Sequence, residues 1–82
     1  MKAVINIYLK NGVLDSQGKA VHNALDSLGF GESVSDVRIG RQIVLKLNSK
    51  TQNEAKDEAT KMCEELLANT VIEDYEIEIL DV

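Results

Sequence analysis

Residues 2–10 read Lys-Ala-Val-Ile-Asn-Ile-Tyr-Leu-Lys. Ala3, Ile5, Ile7 and Leu9 alternate with Val4, Asn6 and Tyr8, which is the period of a strand whose second face is only partly polar. Asn11-Gly12 ends it. Asp15 then reads as a helix N-cap, with the helix running to about Leu28 and Val21, Ala24, Leu25 and Leu28 as its apolar stripe. Gly18 falls in the first turn and is expected to weaken it by about 1 kcal/mol relative to Ala. Gly29 supplies a left-handed stop, and residues 30–33 are loop.

Residues 34–39 and 42–47 alternate as two strands around Gly40-Arg41, the pattern of a β-hairpin. Thr51-Gln52-Asn53-Glu54 is a capping box that opens a second helix, reaching about Ala68. Its stripe is Ala55, Ala59, Met62, Cys63, Leu66 and Leu67, with Asp57 and Lys61 at ion-pair spacing on the outside. Asn69 is the expected left-handed terminator. Tyr75, Ile77 and Ile79 alternate with Glu76 and Glu78 in a last strand over 75–80.

The order β-α-β-β-α-β predicts one α+β domain over residues 1–82, a ferredoxin-like sandwich. Its four-stranded antiparallel sheet would carry both helices on one face. The other face would hold Val4, Tyr8, Val44 and Leu80 among Asn6, Lys46 and the glutamates. A half-apolar open face on so small a domain predicts a homo-dimer or homo-tetramer.

Composition narrows the function classes without choosing one. Apolar residues make up 44% and charged residues 28%, ordinary values for a globular domain. A chain of this size buries only about 60–65% of its unfolded surface, so a partner that covers more would help it. Nine basic against fourteen acidic residues give a net charge of −5, which argues against a basic clamp on nucleic acid. The charge is uneven: residues 1–50 hold seven basic and four acidic groups, residues 51–82 two and ten. Such asymmetry orients a charged partner, or simply solvates a helix face. No apolar run is long enough for a membrane span and the N-terminus has no signal-peptide core. The lone Cys63 fits a reducing cytoplasm.

Reactive residues are few. His22 lies where the apolar and polar faces of the first helix meet, without a carboxylate or cysteine at ligand spacing, and reads as a boundary histidine. Cys63 falls on the apolar stripe and reads as a small core residue. Gly29-Phe30-Gly31 lacks the rest of a phosphate loop. Asp36, Arg38 and Arg41 cluster at the expected hairpin, either as solvated charges or as an anion site. No nucleophile, base and oxyanion donor come together. These residues describe a binding or assembly module, and a small-effector-binding regulatory module of the same fold stays open. An acylphosphatase-type enzyme would need a basic residue in Asn11–Asp15, and a metal chaperone a pair of cysteines; neither is present.

Three segments carry more than pattern: Val13-Leu14-Asp15-Ser16-Gln17-Gly18, Asp36-Val37-Arg38-Ile39-Gly40, and the run from Met62 through Glu64-Glu65-Leu66-Leu67-Ala68-Asn69 to Tyr75. Together, at these spacings, they resemble the PurS subunits of phosphoribosylformylglycinamidine synthase, and the resemblance runs end to end. The family commonly has Pro where this chain has Ser16, a pre-organised first helical position that Ser gives up.

The resemblance implies a subunit that works with a glutaminase, PurQ, and a synthetase, PurL. Their assembly converts formylglycinamide ribonucleotide, glutamine and ATP to formylglycinamidine ribonucleotide (FGAM), glutamate, ADP and phosphate in purine biosynthesis. ATP and magnesium belong to the assembled complex. This chain is implied to bind no cofactor or metal, to carry no catalytic group, and to bridge its partners so that ammonia passes between them. Partner contacts are expected in two segments. One is the hairpin, through Asp36, Arg38, Gly40 and Arg41. The other is the connector and strand entry, through Asn69, Thr70, Val71, Ile72 and Tyr75, where apolar residues in a loop suggest an interface.

Overall fold

The computed structural model describes residues 1–82. The first strand, β1 (Lys2–Leu9), is the middle of the sheet, with β2 (Gly40–Lys46) on one side and β3 (Glu73–Leu80) on the other, both antiparallel to it. A central strand meets neighbours on both edges, which fits its apolar residues on both faces. The register stacks the inner face in three rows: Leu45–Ala3–Ile79, Ile43–Ile5–Ile77 and Arg41–Ile7–Tyr75. Helix α2 (Gln52–Met62) packs over β1 and β3. Its contact line is Ala55, Ala59 and Cys63, all fully buried, and these small side chains lie above the buried Ala3, Ile5 and Ile7. Thr51 caps the helix through its hydroxyl, which accepts the Glu54 N–H at 3.1 Å. A widened last turn, Cys63–Leu67, closes on the bond from Ala68 N–H to the Cys63 carbonyl. That turn carries Leu66 off the expected stripe and leaves it 82% exposed.

The sheet has three strands, not the four that the sequence pattern predicts. Residues 34–39 form no ladder, so the expected hairpin is absent. The alternation of Val37 and Ile39 with Asp36 and Arg38 is real, but side chains take the place of a neighbouring strand. Asp15 accepts the Ile39 N–H at 2.7 Å, and the Arg38 guanidinium donates to the Leu9 and Lys10 carbonyls at 3.2 Å each. Gly40 and Arg41 are not a turn; they open β2, opposite Tyr8 and Ile7. A Cβ at Gly40 would come within 2.7 Å of the Ile7 carbonyl oxygen, so the strand needs glycine there. Two smaller expectations also fail. Asn69 has no left-handed backbone, and the ion pairs are Lys10–Asp74 and Arg41–Glu73 rather than Asp57–Lys61.

The second departure is helix α1 (Ser16–Leu25). It forms no layer over the sheet. With its last turn, Asp26–Phe30, where Gly29 takes φ 96° as the stop, and the returning chain to Ile39, it projects as an arm. The radius of gyration is 16.1 Å, against about 12 Å for a compact chain of this length. The stripe meant for the core is left open: Val21 is 40% and Leu28 72% exposed. Pattern recognises an amphipathic helix but does not say whose apolar surface it covers.

Gly18 explains itself at the base of the arm. It is buried, and a Cβ there would meet the Val37 carbonyl oxygen inside contact distance and Asp15 Oδ2 at 2.8 Å. Gly18→Ala gains about 1 kcal/mol of helix propensity, yet its urea midpoint is expected to fall below that of the parent. A midpoint above the parent would show that the returning chain does not press on the helix.

Candidate functional site

β1 ends where β2 and β3 begin, so three connectors meet at one end of the sheet: residues 10–15, 34–39 and 68–72. Eight of the nine residues singled out by sequence fall in these connectors or the strand starts beside them: Asp36, Arg38, Gly40, Arg41, Asn69, Thr70, Val71 and Ile72. Tyr75 follows just inside β3. Three of them, Arg38, Arg41 and Asn69, take part in two networks that meet at a cleft of about 250 Å³ lined by Asp15, Gly40, Arg41 and Glu73.

The first network is built on Arg41. Its register position points inward beside Ile7, and its guanidinium reaches past β1 to the start of β3. It donates to Glu73 Oε2 at 2.5 Å and Oε1 at 3.1 Å, and to the Leu67 carbonyl at 2.7 Å. Cations near helix C-termini satisfy orphan carbonyls in this way. Glu73 Oε1 also accepts the Asn69 N–H at 2.7 Å. The Asn69 side chain makes a local turn by accepting the Val71 N–H at 3.2 Å, and its carbonyl accepts the Ile72 and Glu73 N–H groups. The helix itself ends at Ala68, whose backbone is extended, and Asn69 shapes the connector that follows through its side chain and not through a left-handed backbone. Arg41 and the Asn69 N–H together hold the Glu73 carboxyl below the usual range, and Glu73 raises the Arg41 guanidinium in return.

The second network is built on Asp15. Oδ1 accepts the Gly18 N–H at 2.8 Å as the N-cap, and Oδ2 accepts the Ile39 N–H. Those two backbone donors, with Arg38 nearby, keep its carboxyl below the ordinary value. Arg38 is spent on carbonyls of the first connector, adding Val13 at 3.5 Å.

Asp36 is exposed on the returning chain, at the edge of a second cleft of about 420 Å³ that also includes Lys19 and His22. The His22 ring donates from Nε2 to the Val34 carbonyl at 3.0 Å, which satisfies it as a boundary residue. Thr70 lines a third cleft, with Tyr8, Lys10 and Tyr75. Tyr75 donates its hydroxyl to Glu64 at 2.8 Å, which pushes its pKa up to about 12. Val71 is 83% exposed beside the half-exposed Ile72. Burial pushes the Cys63 thiol up, away from the thiolate that nucleophilic chemistry needs. No group of three or more His, Cys, Asp or Glu side chains is arranged to hold a metal ion, and no helix is long and apolar enough to cross a membrane. Of the expected contact residues, Arg38 and Arg41 prove to be internal ties, whereas Asp36, Thr70, Val71 and Ile72 are free of such duty. Glu64 and Glu73 were missed, because nothing in their local sequence separates them from the other carboxylates of the acidic half.

A family model for PurS, phosphoribosylformylglycinamidine (FGAM) synthase, matches residues 2–81. The chain belongs to the PurS family. It is 46% identical over 81 residues to the FGAM synthase subunit PurS of Bacillus subtilis, covering 99% of this chain and 94% of that one. Among solved structures it resembles PurS of Methanocaldococcus jannaschii, a subunit of formylglycinamide ribonucleotide amidotransferase in the purine biosynthetic pathway. The TM-score is 0.89 at 38% identity, covering 99% and 96% of the two chains. A structure of PurLQS from Thermotoga maritima contains a chain that matches with a TM-score of 0.86 at 32% identity, covering 96% and 95%. Coverage this complete takes in the arm as well as the sheet.

Within this PurS fold the Arg41–Glu73 tie makes a pH statement. The folded Glu73 pKa lies below its ordinary value of 4.5. The tie's stability is complete above that value and is lost as pH falls through the lower, folded value. Glu73→Gln is expected to lower the urea midpoint at pH 7 and to narrow the gap between midpoints at pH 7 and pH 3.5. An acid loss as large as the parent's would remove Glu73 from the acid response.

Proposed function

We propose that this PurS subunit of FGAM synthase acts without catalytic groups of its own, as a bridge between PurL and PurQ subunits through which ammonia from glutamine reaches the synthetase. The observation that carries this reading is the division of labour at the connector end. The strongest polar groups there, Asp15, Arg38, Arg41 and Glu73, hold backbone segments in place. What they leave facing outward is one carboxylate, Asp36, and the apolar or weakly polar Val71, Ile72 and Thr70. Rigid, outward-facing connectors suit docking better than proton transfer. ATP and magnesium belong to the synthetase in this reading, and the assembly works in the cytoplasm.

The same reading includes a homo-dimer, formed by the arm. The folded chain exposes 5975 Å². A compact monomer of 9.1 kDa exposes about 4,900 Å². The excess of roughly 1,100 Å² exceeds the ~800 Å² per partner of a standard interface. α2 packs on β1 and β3, and the inner side chains of β2 (Ile43, Leu45) and Leu47 remain half-buried. Val21, Leu25 and Leu28 on the arm of a second copy suit that surface, and a two-fold axis makes the exchange reciprocal. This face differs from the open one around Val4 and Tyr8 that the sequence pattern suggested.

Reconstitution with matching PurQ and PurL tests the bridge. Omitting this chain is expected to abolish FGAM formation from glutamine and to leave formation from ammonium salt much less affected. Glutamine-driven turnover that persists without it would move the effector-binding reading to the front. Cys63→Ala is expected to keep assembled activity while costing about 1–2 kcal/mol of stability. Val21→Glu is expected to shift the sedimentation profile to monomer with unchanged far-UV circular dichroism; an unchanged profile would remove the arm from the dimer.

A further inference from the structure

Resting on the arm-mediated pairing above, we infer that Asp15 and Arg38 are positioning residues that fix the direction in which the arm leaves the sheet. The arm has two legs at its base, the chain entering α1 and the chain returning to β2. One carboxylate fastens both: Asp15 Oδ1 takes the Gly18 N–H of the entering helix at 2.8 Å and Oδ2 takes the Ile39 N–H of the returning chain at 2.7 Å. Arg38 ties the legs a second time from the opposite direction, from the returning chain to the Leu9, Lys10 and Val13 carbonyls of the entering one. Gly18 lets the two legs touch, since any Cβ there would strike the Val37 carbonyl. Farther out the legs are joined by the His22–Val34 bond and by the turn bonds from Ser33 and Val34 to Phe30. Those bonds stiffen the arm but do not aim it.

Aim is needed because α1 has no layer of the sheet behind it. Helical residues rise about 1.5 Å each, so the helical part of the arm, 16–30, is about 22 Å long. A swing of about 10° at the base moves its tip by about 4 Å, which is enough to lift apolar side chains out of contact. Packing cannot correct such a swing before a second copy arrives. The clamp is therefore what presents Val21, Leu25 and Leu28 in one orientation. Asp15 does more than cap: a serine would cap α1 as well, but it is shorter and has no second oxygen where Oδ2 meets the Ile39 N–H.

The test uses the full chain with Cys63→Ala, spin labels at Glu32→Cys near the arm tip and Lys46→Cys on the sheet, and an excess of unlabelled protein so that only distances within one chain are read. The parent is expected to give one narrow distance distribution. Asp15→Ser and Arg38→Met are each expected to widen it at least twofold, with unchanged helix content, and to weaken self-association tenfold or more in sedimentation. Distributions as narrow as the parent's in both variants would overturn the positioning role. If Arg38→Met does not fold, Asp15→Ser, which keeps the cap, decides alone. A parent that stays monomeric at all concentrations, with distributions that still widen in the variants, would refute the pairing and leave the positioning role intact.

Discussion

Small side chains set the dimensions of this domain. α2 reaches the sheet along Ala55, Ala59 and Cys63, and beneath them lie Ala3, Ile5 and Ile7. Three short residues at four-residue spacing bring a helix backbone close to a sheet, so few atoms suffice to exclude water. The core is correspondingly thin: only 10 of 82 residues are buried. Everything else has to be held by something other than depth of burial.

Hydrogen bonds to backbone groups take over that duty at the connector end. Arg41 and Glu73 fasten the end of α2 to the start of β3, and Asp15 and Arg38 fasten the two legs of the arm. Each tie joins a charged side chain to main-chain groups that would otherwise be orphaned at a helix end or in a loop. Charge-assisted bonds of this kind are stronger than neutral ones and more directional. They define where the outward-facing residues stand.

Most of the fold was legible where local chemistry decides it. β1, the N-caps Asp15 and Thr51, the Gly29 stop and the Ala55, Ala59 and Cys63 part of the second helix's stripe follow from side-chain type and period, and the structure has them, while Met62 and Leu66 of that stripe lie exposed. Cys63 was legible as a core residue for the same reason. The fourth strand and the placement of α1 were not. Residues 34–39 alternate like a strand, but alternation describes two faces and not a partner. The stripe on α1 describes a helix that must be covered, and nothing in it says by which chain. At the site, the internal bonds of the charged residues were not legible. Arg38 and Arg41 lie where contacts were expected, yet their donors turn inward, because the carbonyls that attract them come from residues far away in sequence.

Sheet order has a consequence for how the chain is made. β1 leaves the ribosome before both of its partners, and β3 is the last of the three strands in the chain. Pairing Lys2 with Leu80 closes a loop of almost the whole chain. Such non-local closure is slow and comes at a large cost in chain entropy before its contacts form. During synthesis β1 and β2 can meet as a two-stranded ribbon, which is marginal in water. The third strand follows α2 in the chain, so the nascent subunit completes its sheet, and with it the platform under α2, only after that helix has been made.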